Sequence, residues 1–258
     1  MEEMADTVHR SVPTRIFPSR RKFTGPLRTA RFILGPPLLF AYSPNILPRP
    51  SGWNEHIHVT GYFFLDEKSY QPPIELSDFL AAGNPPICIS FGSMVNRKAK
   101  RIDQIVRDAL KQTNNRGIIL SGWAGVTKKS SNELLYLESA PHDWLLPHCK
   151  MIIHHGGAGT TSAGLRAGIP SIVVPFTADQ PFWGNRVLAV GVSPKPILVK
   201  DLSVEKLTYA IATAELSVVI KQAQLIGQRI RGEDGIKSAV ELIEVYSARF
   251  KGKADSVV

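Results

Sequence analysis

The sequence predicts an α/β fold in which a Rossmann-like parallel sheet carries helices on both faces. Two observations lead to this prediction. Short runs that are apolar along their whole length alternate with segments whose apolar residues recur at helical spacing, and polar, glycine-rich loops follow the apolar runs. Strands that are apolar on both sides are typical of a parallel sheet covered on both faces. In such sheets, ligands bind beyond the carboxyl ends of the strands.

The chain changes character near residue 75. Up to about Gln71 it is rich in Pro and Arg, and its prolines exclude long helices. We therefore interpret residues 1–75 as a basic N-terminal tail and an irregular linker, which ends in a candidate strand at residues 58–62. Residues 76–258 are the predicted α/β domain, and the 43% hydrophobic content of the chain is enough to bury its core.

Four strands and four helices are predicted within this domain. Short apolar runs bounded by Pro, Gly or Ser predict buried strands at residues 87–91, 117–120, 151–154 and 171–176. Helical spacing of apolar residues predicts helices over residues 102–110, around Leu165 and Ala167, over 204–214, and over about 239–249. The loop around Asp179 follows the fourth strand.

The charge of the chain limits the kind of partner without choosing one. Lys and Arg exceed Asp and Glu by 31 − 22, which gives a net charge of +9. Such a balance suits nucleic acid, an anionic membrane surface or phosphorylated small molecules. Residues 10–31 hold seven basic side chains and no acidic one, which indicates either a membrane-surface tail or a solvated terminus. No nucleic-acid-binding module is recognisable, so we expect no nucleic-acid partner.

Cysteine usage and hydropathy favour a cytoplasmic location. Cys88 and Cys149 both lie in apolar runs, as reduced core thiols do. No apolar stretch approaches the roughly 20 residues that cross a bilayer, and residues 1–10 lack the apolar core of a signal peptide. Peripheral contact with a membrane stays open. The spacing of His and Cys residues predicts no metal site.

The strongest functional signal is the sequence HHGGAGTT at residues 154–161, between a predicted strand and a predicted helix. Its glycines allow the backbone to approach a ligand, and the start of a helix presents unpaired amides to an anion. The candidate anion-binding residues are His155, Gly157, Gly159 and Thr160. Many such turns merely tighten a strand–helix connection, and this one lacks the Walker lysine and the dinucleotide fingerprint.

Three further loops offer complementary chemistry. Ser93 follows a glycine in the loop after the first strand, where a hydroxyl could meet a phosphate. Asp179 and Gln180 suit neighbouring sugar hydroxyls, and His142 could shape a base pocket. Each loop in isolation reads more simply as a plain turn, a solvated loop or a structural His–Asp pair. Together they meet the phosphate, hydroxyl and base requirements of a nucleotide-sugar.

Several stretches resemble the donor-site signature of the sterol 3-beta-glucosyltransferases. They are PHDWLLP at 141–147, HHGGAGTT at 154–161, GLRAGIP at 164–170 and VPFTADQPFWG at 174–184, with a shorter motif, GEDG, at 232–235. The resemblance covers roughly residues 39–249. It implies the C-terminal, donor-binding half of a GT-B glycosyltransferase, in which two Rossmann-like domains face each other across a cleft.

The resemblance also implies an activity and roles for individual residues. The activity is inverting transfer of glucose from UDP-glucose to a sterol or related lipid hydroxyl, without a metal or any cofactor besides the donor. His155 and the amides around Gly157, Gly159 and Thr160 would hold the diphosphate, assisted by Ser93. Asp179 and Gln180 would bind glucose hydroxyls, and His142 would lie near the uridine. Ser139 stands where related plant enzymes stack the uracil on a tryptophan, so Trp123 and Trp144 are the candidate platforms here.

The resemblance also raises an expectation about completeness. The family's catalytic base is a histidine near the start of the acceptor domain, yet residues 1–75 resemble only the end of that domain and the linker. His9 lacks the glycine-rich context of that base, so the catalytic residue is unassigned. We expect little turnover from this chain without an acceptor domain, which a separate chain could supply. Two alternatives are a non-catalytic nucleotide-sugar-binding module and an adaptor for anionic membranes.

Overall fold

A computed structural model describes residues 37–67, 69–91, 99–120 and 130–254. Its first elements are two short strands, β1 (Leu38–Phe40) and β2 (Ile57–Val59), which pair in parallel. Helix α1 (Ile74–Ala81) then leads into the main domain. The basic tract at residues 10–31 lies outside the described residues.

The main domain is built on a five-stranded parallel sheet. Its strands are β3 (Ile87–Ser90), β4 (Gly117–Leu120), β5 (Leu134–Leu137), β6 (Met151–His154) and β7 (Ser171–Val173). The order across the sheet is β5-β4-β3-β6-β7, and every neighbouring pair is parallel. All residues of the central strands β3 and β6 are buried, which explains why each strand is apolar up to its polar last residue, Ser90 or His154.

Helices cover both faces of this sheet. They include α2 (Ala99–Gln112), α3 (His142–Leu145), α4 (Ala158–Ala167), α5 (Gln180–Ala189), α6 (Val204–Ala214) and α7 (Ser217–Arg231). A further helix, α8 (Gly235–Ala254), contacts the β2 segment, where Tyr246 Oη lies 3.0 Å from His58 Nε2. Single 3₁₀ turns occur at Leu146–His148 and Val199–Asp201.

Alternate residues of β3 enter different cores, as the two-residue period of a strand requires. Ile87 and Ile89 pack with residues of α2 and α6 on one face. Cys88 packs on the other face with residues of α1 and α3. A third cluster joins residues 40–64 to helices α5 and α7. The linker is therefore packed onto the main domain.

The predicted Rossmann-like fold is confirmed, with differences in detail. The strands predicted at 87–91 and 171–176 end earlier, at Ser90 and Val173. Strand β5 and helices α1, α3, α5 and α7 were not predicted, and α5 begins at Gln180, within the segment interpreted as a loop. The buried stripe of α7 includes Gly227, where a Cβ would lie 2.5 Å from the Cα of Gly168. Ala223, Ile226 and Ile230 of the same stripe recur at helical spacing, so the sequence did carry a signal for this helix.

Two further features concern the cysteine side chains and the apolar character of the helices. Cys88 and Cys149 are buried free thiols in the structure, as predicted. Among the described residues, no helix combines the length and the apolar character needed to cross a bilayer. The proposed boundary near residue 75 stays a prediction.

Candidate nucleotide-sugar site

The candidate site lies where strands β3, β6 and β7 end. The register of the sheet places Ser90, His154 and Val173 side by side as the last residues of these strands. The loops that follow therefore leave the sheet at one edge, which we call the carboxyl edge. This is the edge at which open α/β sheets bind ligands.

The turn after β6 depends on glycine. Gly156 has a φ of +90°, and a Cβ there would lie 2.7 Å from Val173 Cγ1 and 2.9 Å from the backbone oxygen of Gln180. Both the conformation and the space exclude a side chain. A Cβ at Gly157 would meet His155 Nε2 at 2.5 Å, so this glycine admits the imidazole beside the start of the helix.

Helix α4 begins directly after this turn. Gly157 precedes it, and among the described residues no side chain caps its first amides. Ala158 and Gly159 are exposed, Thr160 is half-buried, and the position of a Cβ on Gly159 faces open space. The first amides of α4 are thus accessible to an anion and carry the positive end of the helix dipole.

His155 and His142 are held neutral beside the turn. Burial lowers the pKa of His155, and a hydrogen bond to the Ser90 backbone and the charge of Asp179 partly oppose this. Burial also lowers the pKa of His142, with Asp143 acting in the opposite direction. His155 Nδ1 and His142 Nε2 are buried and have no hydrogen-bond partner in the described part of the chain. Both rings are half-buried, and these two nitrogen atoms are themselves shielded from solvent.

Asp179 and Gln180 are placed differently from each other. Asp179 is exposed, and its Oδ2 accepts a hydrogen bond from Trp183 Nε1 at 2.9 Å. Gln180 is buried as the first residue of α5, and its Oε1 accepts the backbone N–H groups of Phe176 (2.8 Å) and Thr177 (3.1 Å). The oxygen of Gln180 thus shapes the loop, and its Nε2 group is the part not used in these bonds.

The other predicted residues divide between the site and the segments that are not described. His142 is the first residue of α3, at the end of the loop after β5. Trp144 stacks on His148 with ring centroids 4.5 Å apart and contacts Tyr70 edge-on. Ser93 and Trp123 lie outside the described residues, so their predicted roles stay predictions.

A cavity of about 940 Å³ lies beside the C-terminal half of α4, between that helix, the segment 141–147 and the segment 64–67. His142, Trp144, Ala163 and Arg166 contribute to its wall. Ala163 and Arg166 lie four and seven residues after Gly159, so all three share one face of α4. This face leads from the exposed helix start to the cavity.

The opposite wall of the cavity is formed by the linker, which sequence reasoning missed. The segment 64–67 lines the cavity. Arg166 Nη2 donates to Asp66 Oδ2 at 2.9 Å, and the Glu67 N–H donates to Asp143 Oδ2 at 2.8 Å. The Arg166 guanidinium also stacks over Phe64, 4.4 Å from the ring centroid. These contacts join positions between 76 and 102 residues apart.

Acidic and histidine side chains do not gather into a metal site in the described ranges. No group of three or more His, Cys, Asp or Glu residues there could hold a metal ion.

Comparison with known proteins finds similar glycosyltransferases. A family model described as the C-terminal domain of erythromycin biosynthesis protein CIII-like proteins matches residues 132–220. One sterol 3-beta-glucosyltransferase of Arabidopsis thaliana is 44% identical over 205 residues, covering 78% of this chain and 32% of the relative. Another from the same plant is 41% identical, covering 80% of this chain and 34% of the relative. Over about 80% of its length the chain is therefore similar to sterol 3-beta-glucosyltransferases, and residues 132–220 match the C-terminal domain of a related glycosyltransferase family.

A bacterial relative and two solved structures agree with this similarity. The O-mycaminosyltylonolide 6-deoxyallosyltransferase of Streptomyces fradiae is 34% identical and covers 82% of this chain. The glycotransferase of kitacinnamycin has a TM-score of 0.67 at 18% identity and covers 81% of this chain and 54% of its own. The calicheamicin glycosyltransferase CalG4 has a TM-score of 0.66 at 19% identity, covering 82% and 52%. At these identities the structures support the fold alone. The chain spans about a third of the length of the plant relatives.

Proposed function

We propose that this chain is the donor-binding part of a glycosyltransferase that transfers glucose from UDP-glucose to a sterol or related lipid hydroxyl with inversion. The observation that carries the proposal is the turn at Gly156. It leads into α4, whose uncapped first amides lie beside His155 at the carboxyl edge. The similarity to sterol 3-beta-glucosyltransferases over some 80% of the chain supports this choice of donor and acceptor.

The first part of the proposed mechanism concerns the leaving group. Transfer of the sugar leaves negative charge on the UDP diphosphate. The amides of residues 158–160 and the dipole of α4 would stabilise that growing charge, because they are fixed before the reaction starts. His155 would add an imidazole beside the same phosphates.

The second part concerns the rest of the donor. The cavity beside α4 would receive the nucleoside, and its 940 Å³ lies within the usual range for ligand pockets. His142 would lie next to the uridine, with an aromatic face available at Trp144. Asp179, exposed at the same edge, and the Nε2 group of Gln180 would bind glucose hydroxyls.

The third part of the proposal concerns the lipid acceptor and the base that activates it. Inverting transfer needs a base that takes the proton of the acceptor hydroxyl, and we assign that role to none of the described residues. The lipid acceptor, the cytoplasmic location and peripheral contact with a membrane through the basic tract all belong to the proposal. So does the need for an acceptor domain, whether in the same polypeptide or on a separate chain.

The proposal is tested by calorimetric titration of the chain with UDP-glucose. We expect binding in the unmodified chain and at least tenfold weaker binding in His155→Ala. The matched control is Lys150→Met, because Lys150 lies just before β6 at the opposite edge of the sheet and pairs with Glu215. Its affinity should stay within about twofold. A folded chain that binds no UDP-glucose, or an equal loss in both variants, would contradict the proposal.

A further inference from the structure

His154, the residue before the proposed phosphate ligand His155, has its side chain inside the protein. It is the last residue of β6 and is fully buried, with 0% of its surface exposed. Its Nδ1 accepts a hydrogen bond from the N–H of Gly156 at 3.1 Å. The residue at the end of the strand thus holds the backbone of the turn that follows it.

This hydrogen bond determines the state of the ring. A backbone N–H can only donate, so Nδ1 must be unprotonated and the proton of the neutral ring must lie on Nε2. Burial, then repulsion by His155 and His142, lowers the pKa of His154 from 6.5 to about 3, so the ring stays neutral at neutral pH. The Nε2 atom is buried and has no hydrogen-bond partner among the residues that the structure describes.

The bonded amide belongs to the residue at which the turn is most constrained. Gly156 adopts a positive φ between Val173 and the backbone of Gln180, with no room for a side chain. Its N–H, buried with the ring, depends on His154 for a partner. A buried N–H without a partner is costly, so losing Nδ1 would favour other conformations of the turn.

We infer that His154 is a positioning residue for the donor site, which uses neutral Nδ1 to fix the Gly156 turn and thereby aims the first amides of α4 at the diphosphate. This inference rests on the proposed function. His154 itself does not need to touch the donor, because it acts through the backbone between β6 and α4. The role differs from that of His155, whose ring lies beside the helix start.

Two substitutions distinguish the hydrogen-bond acceptor at His154 Nδ1 from the volume that the ring fills. In His154→Asn, the amide oxygen can occupy the place of Nδ1 and accept the Gly156 N–H. His154→Leu fills similar volume but offers no acceptor. We expect the affinity for UDP, measured by calorimetry, to stay within about threefold of the unmodified chain in the Asn variant and to fall at least tenfold in the Leu variant. Equal affinities in the two variants would overturn the inference.

Hydrogen exchange gives a second measurement that needs no ligand. The Gly156 amide should exchange at least tenfold faster in His154→Leu than in His154→Asn. If the unmodified chain binds no UDP, the proposed function fails, and this exchange ratio still tests the link from His154 to the turn. An equal exchange rate in both variants contradicts that link.

The unmodified chain also provides a test, which serves if the variants do not fold. Nitrogen chemical shifts of the His154 ring should show unprotonated Nδ1 and protonated Nε2 throughout the range from about pH 5.5 to 8.5. A proton on Nδ1, or titration of this ring within that range, would overturn the inference.

Discussion

The two edges of the central sheet differ in whether the nitrogen atoms of their side chains have hydrogen-bond partners. At the amino edge, Arg116 donates to the backbone oxygens of Phe79, Asn84 (3.1 Å) and Asn132 (3.4 Å), and its guanidinium stacks over Phe79. Lys150 at the same edge pairs with Glu215 at 2.6 Å. These cations are used within the fold.

At the carboxyl edge, buried nitrogen atoms of three histidines have no partner within the described ranges: His142 Nε2, His154 Nε2 and His155 Nδ1. Buried polar groups in folded proteins normally have partners. Ser171 Oγ, at the amino edge, likewise has no partner in the described part of the chain, so the contrast concerns nitrogen groups: the cations of the amino edge are bonded within the fold, whereas these ring nitrogens of the carboxyl edge are not. The predictions that follow test this division.

The largest effect is expected from Gly156→Ala. The new Cβ would lie 2.7 Å from Val173 Cγ1 in a backbone conformation that favours glycine. We expect the free energy of unfolding to fall by about 2–4 kcal/mol, measured by urea denaturation, with loss of UDP-glucose binding.

Gly159→Ala, in the first turn of α4, is the matched control. Among the described residues, a Cβ at Gly159 meets nothing within 4 Å, and alanine favours the helix by about 0.5–1 kcal/mol relative to glycine. We expect stability to be kept or raised. If UDP-glucose approaches the backbone at Gly159 closely, its affinity for the Gly159→Ala variant falls although the variant is stable. Equal destabilisation by Gly156→Ala and Gly159→Ala would contradict this account of the turn.

The next effect concerns acid stability. The pKa of His154 is about 3 in the folded chain, whereas the ordinary value is 6.5. Between pH 6.5 and pH 3 the ring is therefore protonated in the unfolded chain but neutral in the folded chain. The stabilisation is complete above pH 6.5 and is lost as the pH falls toward 3, by about 1.4 kcal/mol per pH unit. We expect a contribution of about 2 kcal/mol to be lost by pH 5.

His154→Asn isolates that contribution, because asparagine does not titrate. Denaturation at pH 7 and pH 5 should show a smaller loss of stability in this variant than in the unmodified chain, while His142 and His155 contribute to both. The same pH dependence in the two chains would show that His154 is not held neutral.

A smaller effect is expected at the amino edge. Arg116→Met removes three hydrogen bonds to backbone oxygens but keeps an apolar stem over Phe79. We expect the free energy of unfolding to fall by about 1–2 kcal/mol, with the affinity for UDP-glucose changed by less than about twofold. A large loss of affinity in the folded variant would remove the distinction between the two edges.

Local patterns made much of this structure predictable. The runs at 117–120 and 151–154 could be recognised as strands because a parallel strand covered on both faces is apolar along most of its length. The glycines after His155 indicated a backbone turn before a helix, and the structure has that turn at Gly156. In both cases the physical constraint acts within a few residues, so the sequence displays it.

Contacts between distant segments were not predictable in the same way. The cavity wall at 64–67 is held by Asp66 and Arg166, which are 100 residues apart, and no local pattern reports that pairing. The sequence predicted that Gln180 contacts the sugar, but it did not show that Gln180 Oε1 accepts hydrogen bonds from the backbone N–H groups of Phe176 and Thr177. His154 appeared only as a neighbour of His155, because its role depends on which nitrogen faces Gly156.

The most direct test is amide hydrogen exchange of the unmodified chain with and without UDP-glucose. We predict that the donor slows exchange at residues 156–160, where the first amides of α4 lack a side-chain cap, and leaves residues 116–118 and 150–152 unchanged. This pattern would place the diphosphate at the carboxyl edge. Protection at the amino edge, or none at residues 156–160 under conditions where the donor is bound, would contradict the account.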